Sequence, residues 1–282
     1  MDMLQFILIT SGAIALVGVV CGTALAVAAR FFAVHEDPRI EKVAEILPGA
    51  NCGGCGLAGC TEYARAIVVD GAAINLCAPG GNEVIEQIAA FLGREATAAK
   101  KMVALVLCGG NDTQAQKRHA YNGVADCTAA QAVNGGDKAC TYGCLGYGSC
   151  SRICPVAAIE ICDGLAKVHP ELCISCGACV KVCPRNIIKM VPADAPVHVL
   201  CSSHDKGPVV KKMCKVGCIG CTLCTKQVEN QAITMDRFLA VVDYSKETPG
   251  KAAAEKCPVN CIIAADDSSS DAQPEVLQNE NN

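Results

Sequence analysis

The sequence predicts an α+β protein in which one N-terminal transmembrane helix is followed by small modules organised around bound metal. Three observations lead there. Residues 3–29 contain no charged side chain, 23 cysteines fall into close groups along the rest of the chain, and aromatic residues make up only 4%, with no Trp. The cysteines inflate the 51% hydrophobic content. The chain is long enough for two or three domains but poor in the large side chains that fill a conventional core.

Residues 3–29 (MLQFILITSGAIALVGVVCGTALAVAA) come first. As a helix they reach about 40 Å, more than the roughly 30 Å of bilayer hydrocarbon. Ala26-Val27-Ala28 resembles a signal-peptide cleavage site, but no Lys or Arg precedes the run and its length exceeds a signal h-region, so a retained anchor is expected. Arg30, Arg39 and Lys42 follow the span and only Asp2 precedes it. The positive-inside rule then predicts a single-pass protein of the inner (cell) membrane with its soluble part in the cytoplasm. Gly18, Gly22 and Ala26 form a small-residue face that suits either a close partner helix or an anchor without one.

The cysteines determine how the rest of the chain is organised. Their number is odd and many stand two or three residues apart, which suits a shared metal or cluster better than disulfides. A reducing cytoplasm keeps such thiols free to ligate. Cys173-Ile-Ser-Cys176-Gly-Ala-Cys179-Val-Lys-Val-Cys183-Pro184 is a full C-x2-C-x2-C-x3-C-P run, the bacterial pattern for a [4Fe–4S] cluster whose fourth cysteine serves a neighbouring cluster. Zinc would instead show two separated ligand pairs. The partner run is Cys140, Cys144, Cys150 and Cys154-Pro155 in variant spacing, with Tyr147 where a cysteine would usually stand. The expected sets are Cys140, Cys144, Cys150 and Cys183 for one cluster, and Cys154, Cys173, Cys176 and Cys179 for the other. The short apolar stretches after each proline should pack against the clusters and limit water.

Upstream, Cys52, Cys55 and Cys60 are interleaved with Gly53, Gly54, Gly56 and Gly59, and Cys77-Ala-Pro79 supplies a fourth ligand for a cluster of its own. Downstream, Cys218, Cys221 and Cys224 begin another run, but Val228 stands where its fourth cysteine should fall, and residues 243–248 lack a cysteine triplet although Cys257-Pro258 survives. Crossed ligation accounts for both losses, so this module should hold one cluster through Cys218, Cys221, Cys224 and Cys257; a rival arrangement uses Cys214 in place of Cys257. The total expected is four [4Fe–4S] clusters. The stretch 140–146 parallels 214–220, and each follows an apolar strand ending in a cysteine, Cys108 or Cys201, which points to duplication of a cluster-binding unit. The remaining cysteines, Cys21, Cys108, Cys127, Cys162, Cys201, Cys214 and Cys261, default to structural thiols, with Cys214 singled out as the counterpart of Cys140.

The domains expected are a transmembrane anchor (1–30), a four-cysteine [4Fe–4S] domain (31–95), a double-cluster ferredoxin-like module (96–195), a single-cluster ferredoxin-like module (196–263) and a disordered acidic tail (264–282). Helices are predicted over 82–95 and 127–133, and short strands over 102–107 and 197–200.

The anchor, the C-x2-C-x4-C-x16-C domain and the ferredoxin pair beginning KACTYGCLGYGSC together resemble the B subunit of the membrane-bound Rnf complex. That resemblance implies an electron-transfer subunit of an ion-translocating ferredoxin:NAD⁺ oxidoreductase, taking electrons from soluble ferredoxin and passing them to flavin- and NAD-carrying membrane partners. Two other functions stay open on the sequence alone: a reductase arm for a redox-sensing transcription factor and a stand-alone membrane polyferredoxin.

Other chemistries find little support. Net charge is −4, and with five of the 28 acids beyond Ala264 the rest of the chain is near neutral, without the footprint of a nucleic-acid binder. Gly54–Gly59 matches GxGxxG by letter but follows no strand and is threaded with cysteines, so dinucleotide binding is rejected there. The scattered His35, His119, His169, His198 and His204 are not expected to be ligands. No residue is assigned a catalytic role, and hydride chemistry falls to partner subunits. Lys206, Lys211, Lys212 and Lys215 form a basic patch suited either to an acidic ferredoxin or simply to solvent.

Overall fold

The computed structural model describes residues 3–31, 37–96, 100–228, 230–247 and 251–264. His35 and the acidic tail from 265 onward lie outside these residues. Helix α1 (Met3–Phe31) has no acid in its first turn and Arg30 in its last. Its stretch Ser11–Ala28 has a mean hydropathy of 2.1 and buries none of its length against protein. An apolar helix left bare in this way is suited to lipid.

Helices α2 (Pro38–Ile46), α3 (Cys60–Val68) and α4 (Gly81–Leu92) build the next unit around Val43, Tyr63, Ile67 and Ile88. Asp37 starts α2 by accepting the Arg39 amide at 2.9 Å, with Pro38 at the first helical position. Helix α4 ends at Leu92, short of the expected Glu95, because Gly93 turns left-handed at φ +66°.

The following unit pairs its first and last strands, β1 (Met102–Val106) and β4 (Ile188–Pro192), antiparallel with Met102 opposite Pro192. Between them lie α5 (Cys127–Ala132), α6 (Ser149–Ile153), the hairpin β2 (Ile159–Cys162) and β3 (Leu165–Val168), and α7 (Ala178–Val182). The hairpin closes through Asp163 and Gly164, both at positive φ, a two-residue turn whose twist matches its strands. Val106, Ile159, Ile187 and Ile188 form the core.

The last unit repeats that plan. Its outer strands β5 (Val197–Val199) and β8 (Ile262–Ala264) pair antiparallel, and the hairpin β6 (Ile233–Asp236) and β7 (Leu239–Val242) lies between them. Helices α8 (Gly207–Met213) and α9 (Lys251–Glu255) complete it around Val197, Ile233, Leu239 and Ile262. Ala264, expected in the tail, closes the ladder opposite Val197. The two ferredoxin-like units are stitched together at Ala115 and Cys214: the Gln116 amide donates to Met213 O at 2.8 Å and the Lys215 amide to Gln114 O at 2.9 Å.

Candidate iron–sulfur centres

All 23 cysteines are free thiols, and most of those after α1 line cavities. Cys52, Cys55, Cys60 and Cys77 wall a cavity of about 320 Å³. Cys60 opens α3, and its amide donates to Asn51 Oδ1 at 2.8 Å, which folds the glycine loop back onto the helix. Tyr63, one turn on, is buried; its hydroxyl donates to Ala73 O at 2.8 Å and accepts the Leu76 amide at 3.0 Å, holding the segment that ends in Cys77. This loop lies directly on the next site: a Cβ added at Gly54 would stand 3.0 Å from Cys176 O.

Cys154, Cys173, Cys176 and Cys179 share a cavity of about 330 Å³ with Val156, Ala158 and Ile159. Cys154 comes from the end of α6, Cys173 and Cys176 from the loop before α7 and Cys179 from α7 itself, so the partnership crosses between the two halves. Backbone amides turn toward the sulfurs: Ala158 N donates to Cys154 Sγ at 3.3 Å and Ala104 N to Cys173 Sγ at 3.5 Å. The same turn recurs after each Cys-Pro. Ala157, Asn186 and Asn260 have φ of 50°, 52° and 50°, and their amides donate to the carbonyls of Cys154, Cys183 and Cys257.

Cys144, Cys150 and Cys183 line a third cavity of about 340 Å³, together with Ile187 and Ile188. Here the grouping differs from the sequence expectation. The fourth cysteine in the wall is Cys127, and Cys140 is absent from it. Cys127 stands at the start of α5, which Asp126 caps by accepting the Thr128 and Ala129 amides; Ser149 Oγ accepts the Cys127 amide at 2.8 Å and donates to Asp126 at 2.7 Å. That hydroxyl, with the capped amides, holds the Asp126 carboxyl down at about 2. Arg185 Nε donates to Gln131 Oε1 at 2.6 Å and Nη1 to Cys140 O at 2.9 Å, fastening α5 over the site. Cys140 faces the other way, into a cavity it shares with Cys108, Cys201 and Cys214. The sequence signal for Cys127 was slight: a helix start after an aspartate cap, too far upstream to belong to any cysteine run.

Cys218, Cys221, Cys224 and Cys257 wall the cavity of the last unit, about 310 Å³, and Cys214 is not among them. Cys261 joins this wall, its sulfur 3.6 Å from that of Cys257. Hydrogen bonds from Cys261 lower Cys218 to about 6 and Cys257 to about 5, while Cys261 itself is raised, so the proton stays on Cys261. Burial pushes other thiols up, Cys224 in the same wall to about 11, Cys179 to about 11 and Cys150 to about 12. Such thiols give up their protons when a metal takes the proton's place. Among the described residues no three His, Cys, Asp or Glu side chains converge on one ion position. Thiols held apart around a cavity suit the corners of a cubane rather than one tetrahedral ion. Among the described residues no histidine lines any of these walls.

Comparison with known proteins agrees. Residues 47–79 match a family model described as a putative Fe-S cluster, and residues 166–189 match a 4Fe-4S binding domain. The B subunit of a Na⁺-translocating ferredoxin:NAD⁺ oxidoreductase complex from Acetobacterium woodii is 45% identical, over 92% of this chain and 78% of its own. A Methanosarcina acetivorans protein, the B subunit of an ion-translocating oxidoreductase complex, is 46% identical over 87% of this chain and 93% of its own. The chain belongs to the family of these B subunits. As a family member it is an iron–sulfur subunit of an ion-translocating ferredoxin:NAD⁺ oxidoreductase. A Clostridium ljungdahlii relative of the same family, 42% identical over 88% of this chain and 89% of its own, is named for proton translocation. Relatives at similar distance thus carry different coupling ions in their names, and α1 has no charged residue within Ser11–Ala28 that would select one.

Proposed function

We propose that this subunit relays single electrons between soluble ferredoxin and its membrane partners through at least four [4Fe–4S] clusters. Its ligands would be Cys52, Cys55, Cys60 and Cys77; Cys154, Cys173, Cys176 and Cys179; Cys127, Cys144, Cys150 and Cys183; and Cys218, Cys221, Cys224 and Cys257. The observation that carries this reading is the repetition of one arrangement, at least four cysteines around a cavity of about 310–340 Å³ with small or apolar side chains in its wall. Bound there, a cubane supplies reversible one-electron chemistry. The chain's part is to set the conditions for it. Ile159, Ile187 and Ile188 exclude water, and amides such as Ala158 N stabilise charge on sulfur. Close approach of Gly54 to Cys176 brings two sites together.

The uncharged α1 with Arg30 at its end supports an anchor in the cell membrane with the cluster-bearing part on the cytoplasmic side. Lys206, Lys211, Lys212 and Lys215 all lie exposed on and beside α8, and an acidic ferredoxin would meet them. The test is anaerobic titration of the purified complex with reduced ferredoxin while the electron paramagnetic resonance of its clusters is followed. Reduction of the clusters before NAD⁺ is consumed is expected; clusters that stay oxidised while NAD⁺ is reduced would remove the relay.

A further inference from the structure

We infer that Cys108, Cys140, Cys201 and Cys214 hold a fifth [4Fe–4S] cluster at the junction of the two ferredoxin-like units. The inference rests on the four-cluster reading above, because it works by likeness to those sites.

The four cysteines come from four separate segments. Cys108 follows β1, Cys201 follows β5, and Cys140 and Cys214 each stand four residues before a cysteine of an adjoining site. They line a single cavity of about 410 Å³, somewhat larger than the other four. Apart from the sulfurs it is walled mainly by apolar or small groups, among them Ala115, Leu200, Val210 and Val216. Four thiols gathered from positions about a hundred residues apart are a costly way to fill space, since each brings a polarisable, reactive group that an Ala or Val would not. With no convergence on one ion position among the described residues, a lone zinc fits this wall no better than it fits the others.

An approximate two-fold relation makes the site a product of the duplication. The Cys144 amide donates to Cys108 Sγ at 3.4 Å, and its counterpart, the Cys218 amide, donates to Cys201 Sγ at 3.3 Å. Gly109 N donates to Leu200 O at 3.0 Å, while Ser202 Oγ returns a bond to Leu107 O at 2.8 Å. A Cβ at Gly143 would stand 3.7 Å from Cys140 Sγ, and one at Gly217 would stand 3.8 Å from Cys214 Sγ. Each unit therefore gives two thiols in the same way, and neither can complete four alone. Gly110 leaves its backbone open to the cavity, because a Cβ there would fall 3.2 Å from Cys214 Sγ.

Charge points the same way. Lys138 is 1% exposed and lines this cavity. Its ammonium donates to Gly110 O and Gly164 O, both at 2.8 Å, and its nearest carboxylate oxygen, on Asp112, is 3.8 Å away. Anionic charge close by stabilises a buried cation, and a cubane held by four thiolates would add to the charge of Asp112. The placement also joins the sites in a row. The amides that bond Cys108 and Cys201 belong to Cys144 and Cys218, residues of the sites on either side. A centre here would stand between those two sites, and a single electron would cross the junction with one centre oxidised as the next is reduced and no bond or proton moved.

The experiment uses the full-length chain, produced and purified without oxygen. Iron and acid-labile sulfide are counted per copy of this chain, zinc is measured on the same sample, and native thiols are alkylated and mapped by mass spectrometry before and after iron removal. Five clusters predict about twenty irons, against about sixteen for four. Cys108, Cys140, Cys201 and Cys214 should resist alkylation until iron is stripped, and the Cys108→Ala/Cys201→Ala double variant should lose about one fifth of the iron while the other signals remain. Sixteen irons with these four thiols alkylated in the native protein would overturn the inference and leave the four-cluster reading standing. One zinc per chain, lost in the double variant, would overturn it as well. Absence of iron altogether would instead bring down the reading on which it rests. The mapping needs no variant, so a misfolded double variant does not blunt the test.

Discussion

Replacing Tyr63 by Phe removes one oxygen from the core of the first cluster-binding unit and leaves the ring in place. Tyr63 is 1% exposed and packs among Val43, Ile67, Ile85 and Ile88. Burial raises its hydroxyl pKa, so the group is a neutral donor throughout the physiological range. It makes two bonds, to Ala73 O at 2.8 Å and from Leu76 N at 3.0 Å, and both fasten the segment leading into Cys77. Each bond contributes about 1 kcal/mol net, and an amide left unpaired in a partly buried place adds to the loss, which gives about 2 kcal/mol for Tyr63→Phe. That corresponds to about a 30-fold rise in the open population. Hydrogen exchange of the α2 and α3 amides reads this quantity if the unit opens cooperatively, and exchange there should quicken by about that factor while β5 and β8 are unaffected. The Cys77 thiol should also become reactive sooner in air. Unchanged exchange in α2 and α3 would show that the two bonds do not hold the segment, and the account of how Cys77 is positioned would be wrong.

Three further outcomes are expected from the geometry. Cys127→Ser and Cys140→Ser should each lower the iron content, and the double variant should lose the sum of the two; if either single variant loses as much as the double, the two cysteines share one site. His198 is buried with Nδ1 2.9 Å from the Tyr244 hydroxyl, and burial lowers its pKa from the usual 6.5. The unfolded chain then binds the proton more readily, so stability of the β5–β8 ladder is fully present above pH 6.5 and is lost as pH falls toward the folded value. Exchange of the Val197–Val199 amides, corrected for intrinsic rate, should accelerate between neutral pH and about pH 5.5, and His198→Phe should flatten that dependence. Converting Lys206, Lys211, Lys212 and Lys215 to Gln should slow reduction by ferredoxin at low ionic strength, with the difference fading in high salt; an equal rate at low salt would exclude the patch as a docking surface.

Local chemistry was legible in the chain itself. The uncharged run 3–29 sets a long apolar helix, and α1 covers it from Met3 to Phe31, with Ser11–Ala28 buried against no other part of the chain. The runs Cys173-x2-Cys176-x2-Cys179 and Cys218-x2-Cys221-x2-Cys224 bring their thiols to one cavity each because the spacing and the left-handed residues between them fix the loop within a few residues. The Cys-Pro turns at Cys154, Cys183 and Cys257 repeat for the same reason. Tertiary structure decided which distant cysteine lines each cavity. Cys140 and Cys144 are a turn apart in sequence, yet the Cys144 side chain enters one cavity while its amide faces the sulfur of Cys108 in another. That divergence follows from the pairing of β1 with β4, the clasp of Arg185 on Gln131, and the docking of the second unit at Ala115 and Cys214. Spacing constrains only neighbours along the chain, whereas the partners of Cys127, Cys108 and Cys201 are chosen by strand pairing and unit packing across dozens of residues, which no local pattern encodes.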